Sequence, residues 1–315
     1  MGVGNILFRL FRIVFLVMLI AGVIYVSYYT YVNYPRMAES FKNGDYNFFT
    51  KPEVNASGEI IQFYPNMRFN HNNISYFVLD CSDEKITRLE RAFSIINNET
   101  QIISFYEAEN EKEADIRVGC TKNSFQTEEN TFVAGEGGPT SFMRLEPYSI
   151  IIKGKVVLYK EESCDYPITE LHELFHVFGF DHVNKSDTIM YPYVDYKQKI
   201  DPELISMIKA IYSIEPKAEL YFSNVSSIKR GIYLDYTLEV NNDGLIDAKN
   251  VKLDINSDKG KVESSKLKNL GYGTGQKLWT TNMKLPSLDV KKIIFRISSD
   301  TPEYNTDNNV IEVSL

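Results

Sequence analysis

The pattern of apolar and polar positions divides this chain into four stretches. From Ile13 through Val32 twenty residues carry no charge (IVFLVMLIAGVIYVSYYTYV). A helix rises 1.5 Å per residue, so ~20 apolar residues match the hydrocarbon core of a bilayer. Arg9 and Arg12 precede this run, and residues 1–35 contain no Asp or Glu. That asymmetry predicts an uncleaved, single-pass anchor with a short cytoplasmic N-terminus and everything after Arg36 outside. Tyr25, Tyr28, Tyr29, Tyr31 and Tyr34 crowd the far end, as an interfacial aromatic belt does. A cleaved signal peptide, which would give a secreted chain, is the alternative. It needs a shorter apolar core and a small-x-small site, and Met37-Ala38-Glu39 is a poor one.

Residues 36–59 are polar and irregular and read as a stalk. Between 60 and 215 strand and helix patterns mix. Ile74–Cys81 reads as a strand. Ser82 can cap a helix from about Asp83 to Asn97, with Ile86, Leu89, Phe93 and Ile96 on one face. Ile102–Tyr106 and Asp115–Cys120 are short strands. Ser149–Ile152 and Val156–Tyr159 flank Lys153-Gly154 and suggest a hairpin. Helices are expected at Pro167–Phe178 and Pro202–Tyr212. This order predicts an α+β domain. After Pro216 the period becomes two. Ile232, Leu234, Tyr236, Leu238 and Val240 alternate with polar residues, as do Val251, Leu253 and Ile255, then Ile293, Phe295 and Ile297. Residues 216–315 thus read as an all-β sandwich.

Composition narrows the function classes. The chain has 34 Lys+Arg against 42 Asp+Glu, a net charge of −8, and the acidic excess falls between residues 36 and 215. A nucleic-acid binder would usually show a basic face, so none is expected. Three cysteines, Cys81, Cys120 and Cys164, are too few for a disulfide-stapled mini-domain and form no CxxC knuckle. Outside the cytoplasm one pair can persist. Cys120–Cys164 is the favoured pairing, because both follow strands that enter the same region; three unpaired thiols is the alternative.

Three of the four histidines fall in one stretch, His172-Glu173-Leu174-Phe175-His176-Val177-Phe178-Gly179-Phe180-Asp181-His182. His172 and His176 are i and i+4, so a helix projects both imidazoles from one face. Gly179 can take a positive φ and stop the helix, letting the chain turn back to bring His182 to the same ion. Three neutral imidazoles hold Zn²⁺ and leave a fourth position for water, the pattern of a catalytic centre. Glu173 can reach that water without being a ligand.

This motif, HExxHxxGxxH, resembles that of the metzincin zinc peptidases, in which a Met-turn follows. The run Asp187-Thr188-Ile189-Met190-Tyr191-Pro192-Tyr193 looks most like the matrixin branch. The resemblance implies Met190 as an apolar floor beneath the metal. It implies Pro192 and Tyr193 as walls of the pocket for the residue just past the scissile bond. Glu113–Val118 is similar to a matrixin strand, and Ala134–Pro139 to the Gly-rich approach to the edge strand that pairs with substrate. Residues 216–315 resemble the cell-adhesion-related Ig-like domain of prokaryotic surface proteins. There is no PRCGxPD-like segment, and Val183 follows the third histidine where several branches carry a small or polar residue.

The expectation is therefore a membrane-anchored, extracytoplasmic endopeptidase. One catalytic Zn²⁺ would be bound by His172, His176 and His182, with Glu173 as general base and proteins or peptides as substrates. Structural Ca²⁺ and oligomeric state are left open. The alternative is a surface-binding or adhesion protein whose zinc domain is structural or relic.

Overall fold

The structure, a computed structural model, describes residues 3–32, 38–40, 59–121, 133–145, 147–159 and 165–315. They divide into two compact units, residues 37–216 and residues 1–36 with 217–315.

Helix α1 (Val3–Val32) carries the apolar run, and its apolar side chains from Val14 to Val26 stand half to two-thirds exposed. Side chains are described in it only at Arg12 and over 14–27. Among the described residues no helix is long and apolar enough to cross a membrane. The anchor thus rests on the sequence.

The described residues of the unit 37–216 form one mixed sheet with three helices. In chain order it runs β1 (Ala38–Ser40), β2 (Met67–Phe69), β3 (Asn73–Leu79), α2 (Asp83–Thr100), β4 (Ser104–Glu107) and β5 (Ile116–Cys120). There follow β6 (Gly135–Arg144), β7 (Ser149–Leu158), α3 (Ile168–Val177) and α4 (Pro202–Tyr212). The sheet order is β1-β6-β7-β5-β3-β4, with β2 also on β7. β7, β5, β3 and β4 are parallel, β6 is antiparallel to β7, and β1 is antiparallel to β6. Most of the expected stalk lies outside the described residues, but Ala38–Ser40 forms β1 rather than irregular chain.

Ser82 caps α2 as expected, its side chain accepting from the Lys85 amide. Leu89, Ala92, Phe93 and Ile96 bury the face that packs on the sheet, each large side chain contributing about 1.5–3 kcal/mol. The expected hairpin at Lys153-Gly154 is instead the middle of one ten-residue strand, β7. Glycine there answers to proximity and not to a turn: a Cβ on Gly154 would lie 2.5 Å from Val177 Cγ1 of α3. The Cys120–Cys164 pairing is also corrected: Cys120 is bonded to Cys81, with the Cα atoms 4.8 Å apart. The register explains it. Leu79 of β3 stands opposite Gly119 of β5, so the parallel strands deliver the two cysteines side by side just beyond. Cys164 lies outside the described residues.

Arg68 is fully buried beneath this sheet. Its guanidinium donates to the carbonyls of Phe69, Ile211 and Ile214 and to Asn72 Oδ1, and lies 4.7 Å from the centre of the Tyr212 ring. A cation at the C-terminal end of α4 meets the helix's unpaired carbonyls, which offsets its desolvation.

Beyond Pro216 come β8 (Leu220–Arg230), β9 (Tyr233–Asn242), β10 (Lys252–Ser257), β11 (Gly260–Lys266) and β12 (Thr274–Lys284). β13 (Lys292–Ser298), a 3₁₀ turn at Asp307–Asn309 and β14 (Val310–Ser314) complete the chain. Two antiparallel sheets form, β11-β10-β13-β14 and β12-β9-β8. Their inward residues share one core, in which the rings of Tyr236 and Phe295 lie 5.3 Å apart. β11 and β12 lack the clean apolar alternation of their neighbours, since most of their side chains remain at least partly exposed.

The Cys81–Cys120 bond closes a loop of sequence separation 39. Reduction should lower the unfolding free energy of this unit by about 2–4 kcal/mol, read as a fall in Tm with reductant that a Cys81→Ser/Cys120→Ser chain no longer shows.

Candidate metal centre

All ten residues of α3 are buried. The helix ends at Gly179, whose φ of +86° belongs to the left-handed region. A Cβ there would also lie 2.7–2.8 Å from the Met67 side chain, so glycine meets two demands at once. The chain then reverses, pairing Phe180 with Gln62 in an antiparallel bridge. Asp181 follows, its Oδ1 accepting from the His182 amide at 2.7 Å.

This turn brings the three predicted histidines together. The Nε2 atoms of His172, His176 and His182 lie 2.9–3.2 Å from one another. His172 Nδ1 lies 2.6 Å from the Ile189 carbonyl, and His176 Nδ1 2.7 Å from that of Phe180. Since a carbonyl only accepts, each Nδ1 carries the proton and each Nε2 presents a lone pair. Unprotonated Nε2 atoms cannot hydrogen-bond one another. Their convergence suits a cation, and an ion ~2.0–2.1 Å from each spans the spacing. Among the described residues no other group of His, Cys, Asp or Glu converges in this way.

Burial, with the nearby His182 imidazole, pushes His172 down to about 3. Burial and both neighbours hold His176 well below its ordinary value. Burial takes His182 to about 4. All three are neutral near pH 7, as ligands must be.

Glu173, 5 % exposed, lies where β6 comes closest to α3. A Cβ on Gly137 would stand 2.2 Å from the Glu173 carbonyl oxygen, and one on Gly135 would stand 2.9 Å from its Oε1. The Gly-rich segment is what lets the strand approach. Tyr159, hydrogen-bonded to Glu136, is held above its ordinary value first by burial, then by Glu136 and the charge of Glu173.

Met190 is fully buried, and its carbonyl accepts from Val183, next to His182. Its neighbour Ile189 orients His172, so the predicted Met-turn is tied to the histidines through backbone. Pro192 and Tyr193 follow at the surface, with the Tyr193 ring 42 % exposed and 5.8 Å from Tyr191.

Sequence reasoning passed over three features. Arg88 Nε and Nη2 donate to both Glu170 carboxylate oxygens, at 2.8 and 3.1 Å, tying α2 to α3 two residues before His172. The signal was a charged residue on the buried side of each helix. Phe63 stacks on His176 at 6.1 Å. Gln62 binds the end of α3 from 116 residues away, and nothing local announces it.

Three histidines converging from a helix and its return turn make a site that fits a divalent cation such as zinc. A family model described as Matrixin matches residues 68–214, just under half of the chain. Over that stretch the chain is similar to the matrixin peptidases. None of the curated proteins matches significantly. Among solved structures the chain is similar to archaemetzincin of Methanopyrus kandleri at 12 % identity, covering 47 % of this chain and 98 % of that one, with a TM-score of 0.30. It is similar to high choriolytic enzyme 1, a hatching-enzyme zinc protease of the medaka Oryzias latipes, at 15 % identity, 56 % and 100 % coverage and a TM-score of 0.30. The CARDB domain of a Pyrococcus furiosus protein, in complex with di-metal ions, covers 31 % of this chain and 88 % of its own at 17 % identity, with a TM-score of 0.26. At such scores these likenesses carry no argument about the site.

Two outcomes follow from the geometry. In the metal-free chain the histidines titrate near ~6.5 when unfolded, but at about 3 and about 4 for His172 and His182 when folded, with His176 also lowered. Protons therefore favour the unfolded state. Stability is full above pH ~6.5 and falls as pH drops through about 4 toward about 3. The Tm of the chelated chain should fall over that window, and less so in His172→Asn/His176→Asn; equal falls would refute the linkage. Gly137→Ala forces a Cβ into the Glu173 backbone and should cost about 1–3 kcal/mol or more, measured by denaturant unfolding. Gly138→Ala, which would meet nothing within 4 Å, serves as the control.

Proposed function

We propose that the protein is a membrane-anchored zinc endopeptidase of matrixin-like type, acting outside the cytoplasm. The observation that carries this reading is the convergence of the Nε2 atoms of three histidines, His172 and His176 buried and His182 partly so, with a buried carboxylate on the residue after the first of them.

His172, His176 and His182 would hold the ion. When bound, zinc polarises the scissile carbonyl and acidifies a water. Glu173 accepts that water's proton on a carboxylate oxygen and passes it to the leaving amine. Ile189 and Phe180 keep two of the imidazoles in the tautomer that ligation needs. An extended peptide would lie along β6, whose glycines bring its backbone to Glu173. Met190 would floor the site, and Pro192 and Tyr193 would wall the pocket past the scissile bond. The anchor is supported by the uncharged run in α1 and by Arg9 and Arg12 before it. The two-sheet unit is read as an Ig-like module of the surface-protein kind, supported by its shared core.

The test is cleavage of a mixed peptide library by the full-length chain in detergent micelles, beside Glu173→Gln. Cleavage by the wild type that chelation abolishes is expected. Glu173→Gln should keep its zinc, counted by metal analysis, and lose at least ~100-fold in rate. Wild-type turnover by the variant would remove Glu173 from the role of base.

A further inference from the structure

The turn that carries Phe180 and His182 is held from outside α3 by the segment that leads into β2. Gln62 makes three hydrogen bonds there. Its Nε2 donates to the carbonyls of Phe178, at 2.9 Å, and Met67, at 2.8 Å; its Oε1 accepts from the Met67 amide at 3.0 Å. The Phe178 carbonyl lies at the end of α3, where helix carbonyls lack an intrahelical partner. On either side of Gln62 the backbone continues the clamp. Phe63 donates to the Gly179 carbonyl at 2.7 Å, and Asp181 donates to that of Ile61 at 3.0 Å. Met67, fixed by Gln62, fills the space beneath Gly179. The Phe63 ring lies against His176.

We propose that Gln62 is a positioning residue for the metal centre, and that the segment 60–67 is a working wall of that centre. This rests on the zinc reading above. Two ligands depend on the clamp directly. His176 takes its tautomer from the Phe180 carbonyl, and Phe180 is the residue bridged to Gln62. His182 follows Asp181, whose amide is bound to Ile61. Gln62 touches neither ligand. It sets where the return turn lies, and so where the third Nε2 arrives.

The experiment measures Co²⁺ binding to the full-length chain through its visible absorption, with Gln62→Met and Ile116→Val beside the wild type. Gln62→Met keeps the side chain's length and removes its hydrogen bonds. Ile116→Val trims a core residue of β5 remote from the turn and reports on stability alone. Gln62→Met should weaken Co²⁺ binding about 10–100-fold and shift or flatten the absorption band, while Ile116→Val keeps the wild-type affinity and band. Should Gln62→Met fail to fold, Gln62→Glu is read instead. It keeps the acceptor for Met67 and sets a carboxylate oxygen against the Phe178 carbonyl, so the same loss is expected. Wild-type affinity and band in the folded variant would overturn the proposal. A wild type that binds no Co²⁺ would overturn it together with the metal centre. A wild type that binds Co²⁺ but cleaves no peptide would remove the peptidase reading, and the positioning role would stand or fall on the binding data.

Discussion

Helix α3 lies so close to β6 and β7 that Gly135, Gly137 and Gly154 leave no room for a side chain between them. The site depends on that contact. It places the Glu173 backbone against the strand that borders the centre, and it buries α3 on every side. Burial in turn keeps the histidines neutral. An ordinary helix-on-sheet distance would leave both Glu173 and the histidines more exposed to water, with imidazole values nearer to neutrality.

Around that contact two buried arginines each engage several partners. The bidentate Arg88–Glu170 pair fixes the rotation of α3 against α2. Removing one member would leave the other as a lone buried charge, the costlier outcome of such a pair. Arg68 does comparable work at the end of α4, where it donates to the carbonyls of Ile211 and Ile214. Both arginines act on helix placement, and α3 carries His172 and His176.

The metal centre was legible because its spacing is local: 172, 176 and 182 fall within one helix and one turn, and Gly179 marks where the two meet. The strands β3, β5 and β9 were legible from alternation. What escaped was set by contacts far apart in sequence. Gly154 reads equally as a turn or as a close approach, and only α3 decides between them. The partner of Cys120 follows from β3 and β5 being neighbours, which no cysteine count reveals. β6 is poor in apolar alternation because its glycines answer to Glu173. Gln62 and Phe178 are 116 residues apart, beyond the reach of any periodicity.

That last separation bears on how the chain is made. Synthesis runs from the N-terminus, so the segment 60–67 emerges first and waits for the turn at 178–181 before its polar groups find partners. β2 waits likewise for β7, since Met67 pairs with Ser149. Pairings of such span form slowly, because loop closure precedes any reward. If the segment 60–67 positions the return turn as proposed, the three histidines converge only once this closure is made, and metal acquisition would fall among the last events in the maturation of the domain.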